Sequence, residues 1–278
     1  MYCGLIFSQH LCLSVSSGKE QFGWPAIIKE FYPVVEVLVI PAIDLKNGKV
    51  VRLYQGKKEQ VVLTAEETSP LAVAKNFLAA GARRLHIVDL DGAFSGLPKH
   101  WKEVQEIKQE TSLPVEFGGG LRNRQVVKEV LDSGIDFCIL TTLVLENYPD
   151  FLYLLKNYPG RIIVSVDVSG QKLVSRGWEK RSDISWKDFL KQLKDVGVGQ
   201  IIVTDVERDG TDTGLNKSLV AEAEKIVEKG LIVAGGINSI EDIIWLKKTG
   251  ASGVILGRAI YERKIALPEA IEVAEDAG

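Results

Sequence analysis

From Val37 to the C-terminus, short unbroken runs of Val, Ile and Leu alternate with segments of helical period. The spacing predicts strands over Val37–Ile43, Leu85–Val88, Pro114–Phe117, Phe137–Leu140, Ile162–Val166, Ile201–Val203, Leu231–Ala234 and Val254–Leu256. Helices are predicted between them over Pro70–Ala80, Pro98–Glu110, Arg124–Ser133, Tyr148–Asn157, Trp186–Val196, Lys217–Lys229, Ile240–Lys248 and Pro268–Glu275, with a hairpin-like excursion at Gly48–Leu53. Strands apolar at every position are buried on both faces, as in parallel sheets covered by helices. Eight such units in this length predict an α/β fold, a (β/α)8 TIM barrel, over residues 37–278.

The two halves repeat each other. Gly119-Gly120-Leu121 recurs as Gly235-Gly236-Ile237, and Gly134 recurs as Gly250, each 116 residues on. Asp44, Lys49 and Val51 recur as Asp167, Lys172 and Val174, each 123 residues on. Asp91-Gly92-Ala93-Phe94-Ser95-Gly96 and Asp209-Gly210-Thr211-Asp212-Thr213-Gly214 share the pattern D-G-x-x-(S/T)-G. An open doubly wound sheet has no reason to show this, whereas a barrel of two half-barrels does.

Composition changes the picture little. Of 278 residues, 46% are hydrophobic and 26% charged, the balance of a soluble globular chain. A net charge of −3 without a basic cluster argues against a nucleic-acid partner. No apolar run approaches the roughly 20 residues that span a bilayer, which argues against a membrane partner. Three scattered cysteines support neither a disulfide framework nor a metal site, and a cytoplasmic location is expected. Residues 1–36 differ from the rest. Met1–Ser17 lacks the basic start of a secretory signal, and either a disordered extension or a start assigned too far upstream accounts for the segment.

In a barrel of this kind the working face is built from strand C-termini and the loops after them. Read in order, those ends carry Asp44, Asp89, Gly119-Gly120, Thr141, Asp167, Thr204, Gly235-Gly236 and Gly257 followed by Arg258. Strands one and five lie opposite each other, so Asp44 and Asp167 are expected to face across the mouth, and unequal surroundings would make one an acid and the other a base. Each could instead cap its own turn; their symmetric duplication favours function. The glycine turns precede helices and leave backbone amides open to an anion. Two symmetric sets, Gly119, Gly120 and Thr141 against Gly235, Gly236, Gly257 and Arg258, predict a substrate with a phosphate at each end.

Ile40-Pro41-Ala42-Ile43-Asp44-Leu45, Gly48–Gly56, Leu85–Ala93, Gly118–Arg122, Ser165–Asp167, Arg176-Gly177-Trp178 and Val203-Thr204-Asp205 with Asp209-Gly210-Thr211 resemble, in order, the phosphoribosylformimino-aminoimidazole-carboxamide-ribotide isomerases of histidine biosynthesis. The resemblance runs from about Val37 to the C-terminus. It implies an Amadori rearrangement of an aminoaldose ribotide to the aminoketose, an intramolecular oxidoreduction by acid/base catalysis with no metal and no cofactor. It implies Asp44 as the general base at C2 and Asp167 as the general acid that helps open the ribose. By the same resemblance Arg52, Asp89, Arg122, Arg176, Trp178, Thr204 and Asp209 contact the substrate, with Thr204 paired with Asp89 across the pseudo-twofold axis and Trp178 stacked on the imidazole. A monomer acting on a small bisphosphorylated ribotide is expected. His86, three residues before Asp89, is expected on the opposite strand face, with a buried structural role and a ligand contact both open.

Three rivals are weighed. The cyclase subunit of imidazole glycerol phosphate synthase shares the barrel, but its pattern has a cysteine before the first aspartate motif and a lysine in the hairpin, where this chain has Ala42 and Arg52. A broadened isomerase that also takes phosphoribosylanthranilate would use the same acid and base. A non-catalytic sensor would gain nothing from carboxylates close to its ligand's anions.

Overall fold

In this computed structural model the described residues are 36–54, 57–63, 69–178 and 180–276, so the extension expected over 1–36 lies, apart from Glu36, outside them. The elements follow in the order β1 (Leu38–Lys46), β2 (Lys49–Tyr54), β3 (Lys57–Leu63), α1 (Pro70–Ala79), β4 (Leu85–Asp89), α2 (Leu90–Ser95), α3 (Trp101–Thr111), β5 (Val115–Gly118), α4 (Arg124–Asp132), β6 (Phe137–Leu140), α5 (Thr142–Glu146) and α6 (Tyr148–Asn157). The second half continues with β7 (Ile162–Ser169), β8 (Lys172–Ser175), β9 (Lys180–Ser185), α7 (Trp186–Asp195), β10 (Gln200–Asp205), α8 (Lys217–Val227), β11 (Leu231–Ala234), α9 (Ile240–Thr249), β12 (Gly253–Leu256), α10 (Arg258–Tyr261) and α11 (Leu267–Glu275).

Eight strands close on themselves in parallel, β1-β4-β5-β6-β7-β10-β11-β12, with β12 returning to β1 and β7 pairing directly with β10. This is the predicted barrel. Polar residues start its helices where the sequence places them. Asn123 accepts from the amide of Gln125 at the head of α4, and Ser239, its counterpart 116 residues on, accepts from Asp242 at the head of α9. Each such cap is worth about 1 kcal/mol.

Two apolar layers result. The larger lies between the outer faces of the strands and the helices. The smaller fills the barrel interior with Ile40, Ala42, Ile139, Ile163, Ile202, Ile232 and Ile255, two inward residues from β1 and one each from β6, β7, β10, β11 and β12. Below it, at the N-terminal ends of the strands, Arg84 donates to Gln200 Oε1 at 2.7 Å, and its guanidinium covers the Phe137 ring at 4.6 Å. Arg84 and Gln200 are equivalent positions of the two halves, so they touch across the pseudo-twofold axis.

Two features differ from the sequence expectation. β1 and β7 run past the barrel rim because antiparallel strands hold them there, with Asp44 opposite Val51 and Asp167 opposite Val174. Both aspartates therefore lie inside strands rather than at strand ends, in identical register. The two D-G-x-x-(S/T)-G segments also fold differently. The first coils into α2 and ends on Gly96 at φ 88°, while the second remains a chain of turns.

Candidate active site

Three carboxylates converge on one cavity of about 260 Å³ at the C-terminal mouth: Asp44 from β1, Asp167 from β7 and Asp209 from the loop after β10. His86 from β4 and Thr204 from β10 line the same cavity, as do Arg122, Thr141, Arg176, Trp178, Gly257 and Arg258. Asp167 is held by three donors: Ser165 Oγ at 2.7 Å, Trp178 Nε1 at 2.9 Å, and the Thr204 hydroxyl from the adjacent strand. Burial nonetheless pushes its pKa above the usual carboxylate value, against the pull of those hydrogen bonds.

The other two are spaced usefully. Burial raises Asp44 to about 6, with the positive charge of His86 pulling the other way. Asp209 rises to about 7, first through burial and then through the negative charges of Asp44 and Asp167. Near neutral pH the site therefore holds one carboxylate that is mostly ionised and another that carries a proton about half the time. This is the inequality that acid/base work requires.

The two glycine turns flank these acids. Gly119 and Gly120 have φ of 106° and 75°, and Gly235 and Gly236 have φ of 82° and 78°, all in the left-handed region. Space is as restrictive as angle. A Cβ on Gly119 would lie 2.1 Å from the Asp89 carbonyl oxygen, and one on Gly235 would lie 2.7 Å from the Asp205 carbonyl oxygen. The glycines are thus demanded by the loop of the preceding strand, whatever anion they meet. Gly236 faces a small cleft of about 30 Å³ beside the main cavity. There Arg258 donates to Glu262 at 2.7 Å, to the Gly210 carbonyl at 2.7 Å and to Asp212 at 3.2 Å.

Residues 38–266 match the family described as histidine biosynthesis protein. The chain belongs to that family. It is also 40% identical over 234 residues to 1-(5-phosphoribosyl)-5-((5-phosphoribosylamino)methylideneamino)imidazole-4-carboxamide isomerase of Sulfurihydrogenibium sp., covering 83% of this chain and 97% of the relative. The protein of the same name from Persephonella marina is 39% identical, with 83% and 96% covered, and that from Listeria welshimeri is 41% identical, with 86% and 99% covered.

For this histidine biosynthesis family member, the structure places one expected site residue away from the cavity lining. Asp89 is not among the residues that line the cavity. It is fully buried and accepts from the amides of Gly92 at 2.7 Å, His100 at 2.9 Å and Lys99, so it caps α2 and fastens the following loop. Its equivalent is Asp205, which accepts from the amide of Glu207 at 3.0 Å and from Asn216 Nδ2 at 2.6 Å, and not Thr204, which points inward. Strand alternation is the reason: Thr204 and Asp205 face opposite sides.

The remaining residues divide by how they reach the cavity. Arg176 lines it with φ 57°, but its guanidinium pairs with both oxygens of Glu146 at 2.8 Å, holding that carboxyl at about 2. Arg122 donates to the Ala93 carbonyl at 2.5 Å from the cavity rim. Arg52 lies on β2 opposite Val62, with its side chain outside the described residues. His86 is on the cavity side and Asp89 on the other, as alternation predicts. For Asp209 the resemblance implies only a substrate contact. Its proximity to two other carboxylates required the folded loop, and no spacing along the chain carried that signal.

Proposed function

We propose that the chain isomerises an aminoaldose ribotide bearing a phosphate at each end to the corresponding aminoketose, the reaction for which its relatives are named. The observation that carries the reading is the pair of buried acids, Asp44 at about 6 and Asp209 at about 7, on a single cavity between two glycine-turn ends. The reaction opens the ribose by protonating the ring oxygen as the C1–O bond breaks. A proton then leaves C2 and another joins C1 while the C2 hydroxyl gives up its proton to become the ketone, so C2 is oxidised as C1 is reduced and no external oxidant is needed.

Asp44 is assigned the proton at C2, because it is the acid that is largely ionised near neutrality. The proton for ring opening is assigned to Asp209 ahead of Asp167. Asp167 accepts hydrogen bonds from Ser165, Trp178 and Thr204, all of which favour its charged form, while Asp209 is pushed toward its neutral form by two neighbouring anions. In this scheme Asp167 stabilises charge that develops on the open sugar, and Trp178 stacks on the imidazole. Gly119, Gly120, Thr141 and Arg122 take one phosphate, and Gly235, Gly236, Gly257 and Arg258 take the other.

The test is a side-by-side assay of the purified chain on the aminoaldose ribotide alone and on the aminoketose with ammonia. Turnover of the first without cyclisation of the second supports the isomerase. Cyclisation with ammonia overturns it in favour of the synthase subunit.

A further inference from the structure

The barrel interior holds a charged chain that the proposed reaction does not use. Glu116 on β5 is fully buried and lies beside His86 in the strand register. Its Oε1 is 2.7 Å from His86 Nδ1, and its Oε2 is 3.3 Å from the Arg84 guanidinium. Arg84 reaches in from the N-terminal ends of the strands, and His86 opens on the cavity. The chain thus runs from the bottom of the barrel to the three carboxylates.

Packing does not call for it. The positions equivalent to His86 and Glu116 in the second half are Ile202 and Ile232, both buried in the apolar interior layer. The same space is filled there with hydrocarbon, which avoids the desolvation that a buried ion pair incurs. A carboxylate facing a guanidinium can only accept hydrogen bonds, so His86 Nδ1 carries the hydrogen and donates it to Glu116. Nε2 is then the ring nitrogen left for the cavity.

We propose that Glu116 is a positioning residue for the isomerisation: it fixes the His86 imidazole with Nε2 toward the cavity, beside Asp44. The inference rests on the isomerase reading for its consequence and on geometry for the arrangement. The charged groups facing His86 are Glu116 and Arg84 on its inner side and Asp44, Asp167 and Asp209 on the cavity side. All three cavity acids feel the positive charge of His86, which lowers each of them. Because the second half has no counterpart, this chain also makes the surroundings of Asp44 and Asp167 unequal.

The experiment has two arms. In the first, Glu116→Gln, His86→Gln and the double variant are assayed on the aminoaldose ribotide across pH. Weakening the charge on His86 makes Asp44 harder to ionise, so the acidic limb of the kcat profile is expected to move up by about one unit. KM should hold within about twofold while kcat falls roughly fivefold at pH 6, and the double variant should add nothing to His86→Gln. An unmoved limb, or losses that add, overturns the proposal. The second arm needs neither activity nor a stable variant: the ¹⁵N imidazole shifts of His86 in the unmodified protein. A hydrogen carried on Nδ1 supports the arrangement, and a bare Nδ1 overturns it. Failure of the unmodified protein to turn over the ribotide would count against the reaction alone, leaving this second arm to decide the His86–Glu116 geometry.

Discussion

Replacing Asp209 with asparagine separates the assignment of the acid from its alternative. With Asp44 required as the anion at about 6 and Asp209 required protonated at about 7, kcat/KM should follow a narrow bell centred near 6.5. Treating the two as independent, about 58% of molecules hold the productive pair at the centre, and about 9% do so at pH 5 or pH 8, a fall of about sixfold on either side. Asp209→Asn keeps the side-chain size but cannot deliver the proton. The rate should fall by roughly 10²–10⁴, and the basic limb should vanish. The acidic limb should hold its place, because Asp209 is already mostly neutral where Asp44 titrates. Steady-state rates from pH 4.5 to 9 measure this directly. A bell that survives Asp209→Asn, with its basic limb lost instead in Asp167→Asn, would refute the assignment and return the acid to Asp167.

The same burial implies a stability effect. Asp44 binds its proton more tightly folded than unfolded, so its contribution is favourable at low pH and declines as pH rises from 3.8 through about 6. Asp44→Asn should abolish turnover yet stabilise the fold at pH 8 by up to about 3 kcal/mol, a ceiling because the carboxylate keeps contact with cavity water; urea unfolding that shows a loss would refute this. Asp89→Ala should leave buried amides of Gly92, Lys99 and His100 unpaired and lower stability by about 3 kcal/mol. KM of the folded protein should be unchanged, and a raised KM at full stability would restore Asp89 to the substrate. Gly236→Ala would set a Cβ 2.6 Å from the Gly214 carbonyl oxygen at φ 78°, lowering Tm through a loss of roughly 1–3 kcal/mol. A raised KM with an unchanged Tm would make phosphate approach the sole reason for that glycine.

The barrel was legible because its signals are local. Continuous Val and Ile runs mark the parallel strands, and Ser69, Asn123 and Ser239 mark helix starts to within a residue or two. The partnership of Asp44 and Asp167 was legible because the duplication preserves register, each aspartate lying opposite the valine seven residues on. What was hidden depended on which way a side chain turns at a loop. Asp91 and Asp209 occupy the same place in a shared motif, yet Asp91 accepts from the Asn47 amide at 2.6 Å and lies 2.7 Å from His100 Nε2, outside the cavity. Glu116 was hidden for a different reason. Within an apolar strand run it gave no periodic signal, and only the neighbouring strand supplies His86.

The unequal loops bear on why a duplicated barrel suits this chemistry. In the proposed reading, a ribotide with a phosphate at each end asks for two similar ends, and the half-barrel repeat offers candidates in glycine turns 116 residues apart. The rearrangement between those ends is not symmetric, since one group must give a proton and another take one. From Asp89 to Gly96 the first-half loop closes into α2 within seven residues, whereas from Asp205 to Gly214 the second-half loop takes nine and stays open. The longer loop carries Asp209 inward with no counterpart, and its charge interactions with Asp44 and Asp167 set it apart from both. On the opposite side of the cavity the Arg84–Glu116–His86 chain is likewise present in one half only. Both departures from symmetry bear on Asp44, so an engineered barrel made of two identical copies of either half should keep both glycine-turn ends and, with them, the proposed binding of a bisphosphorylated ribotide, yet lose the isomerisation.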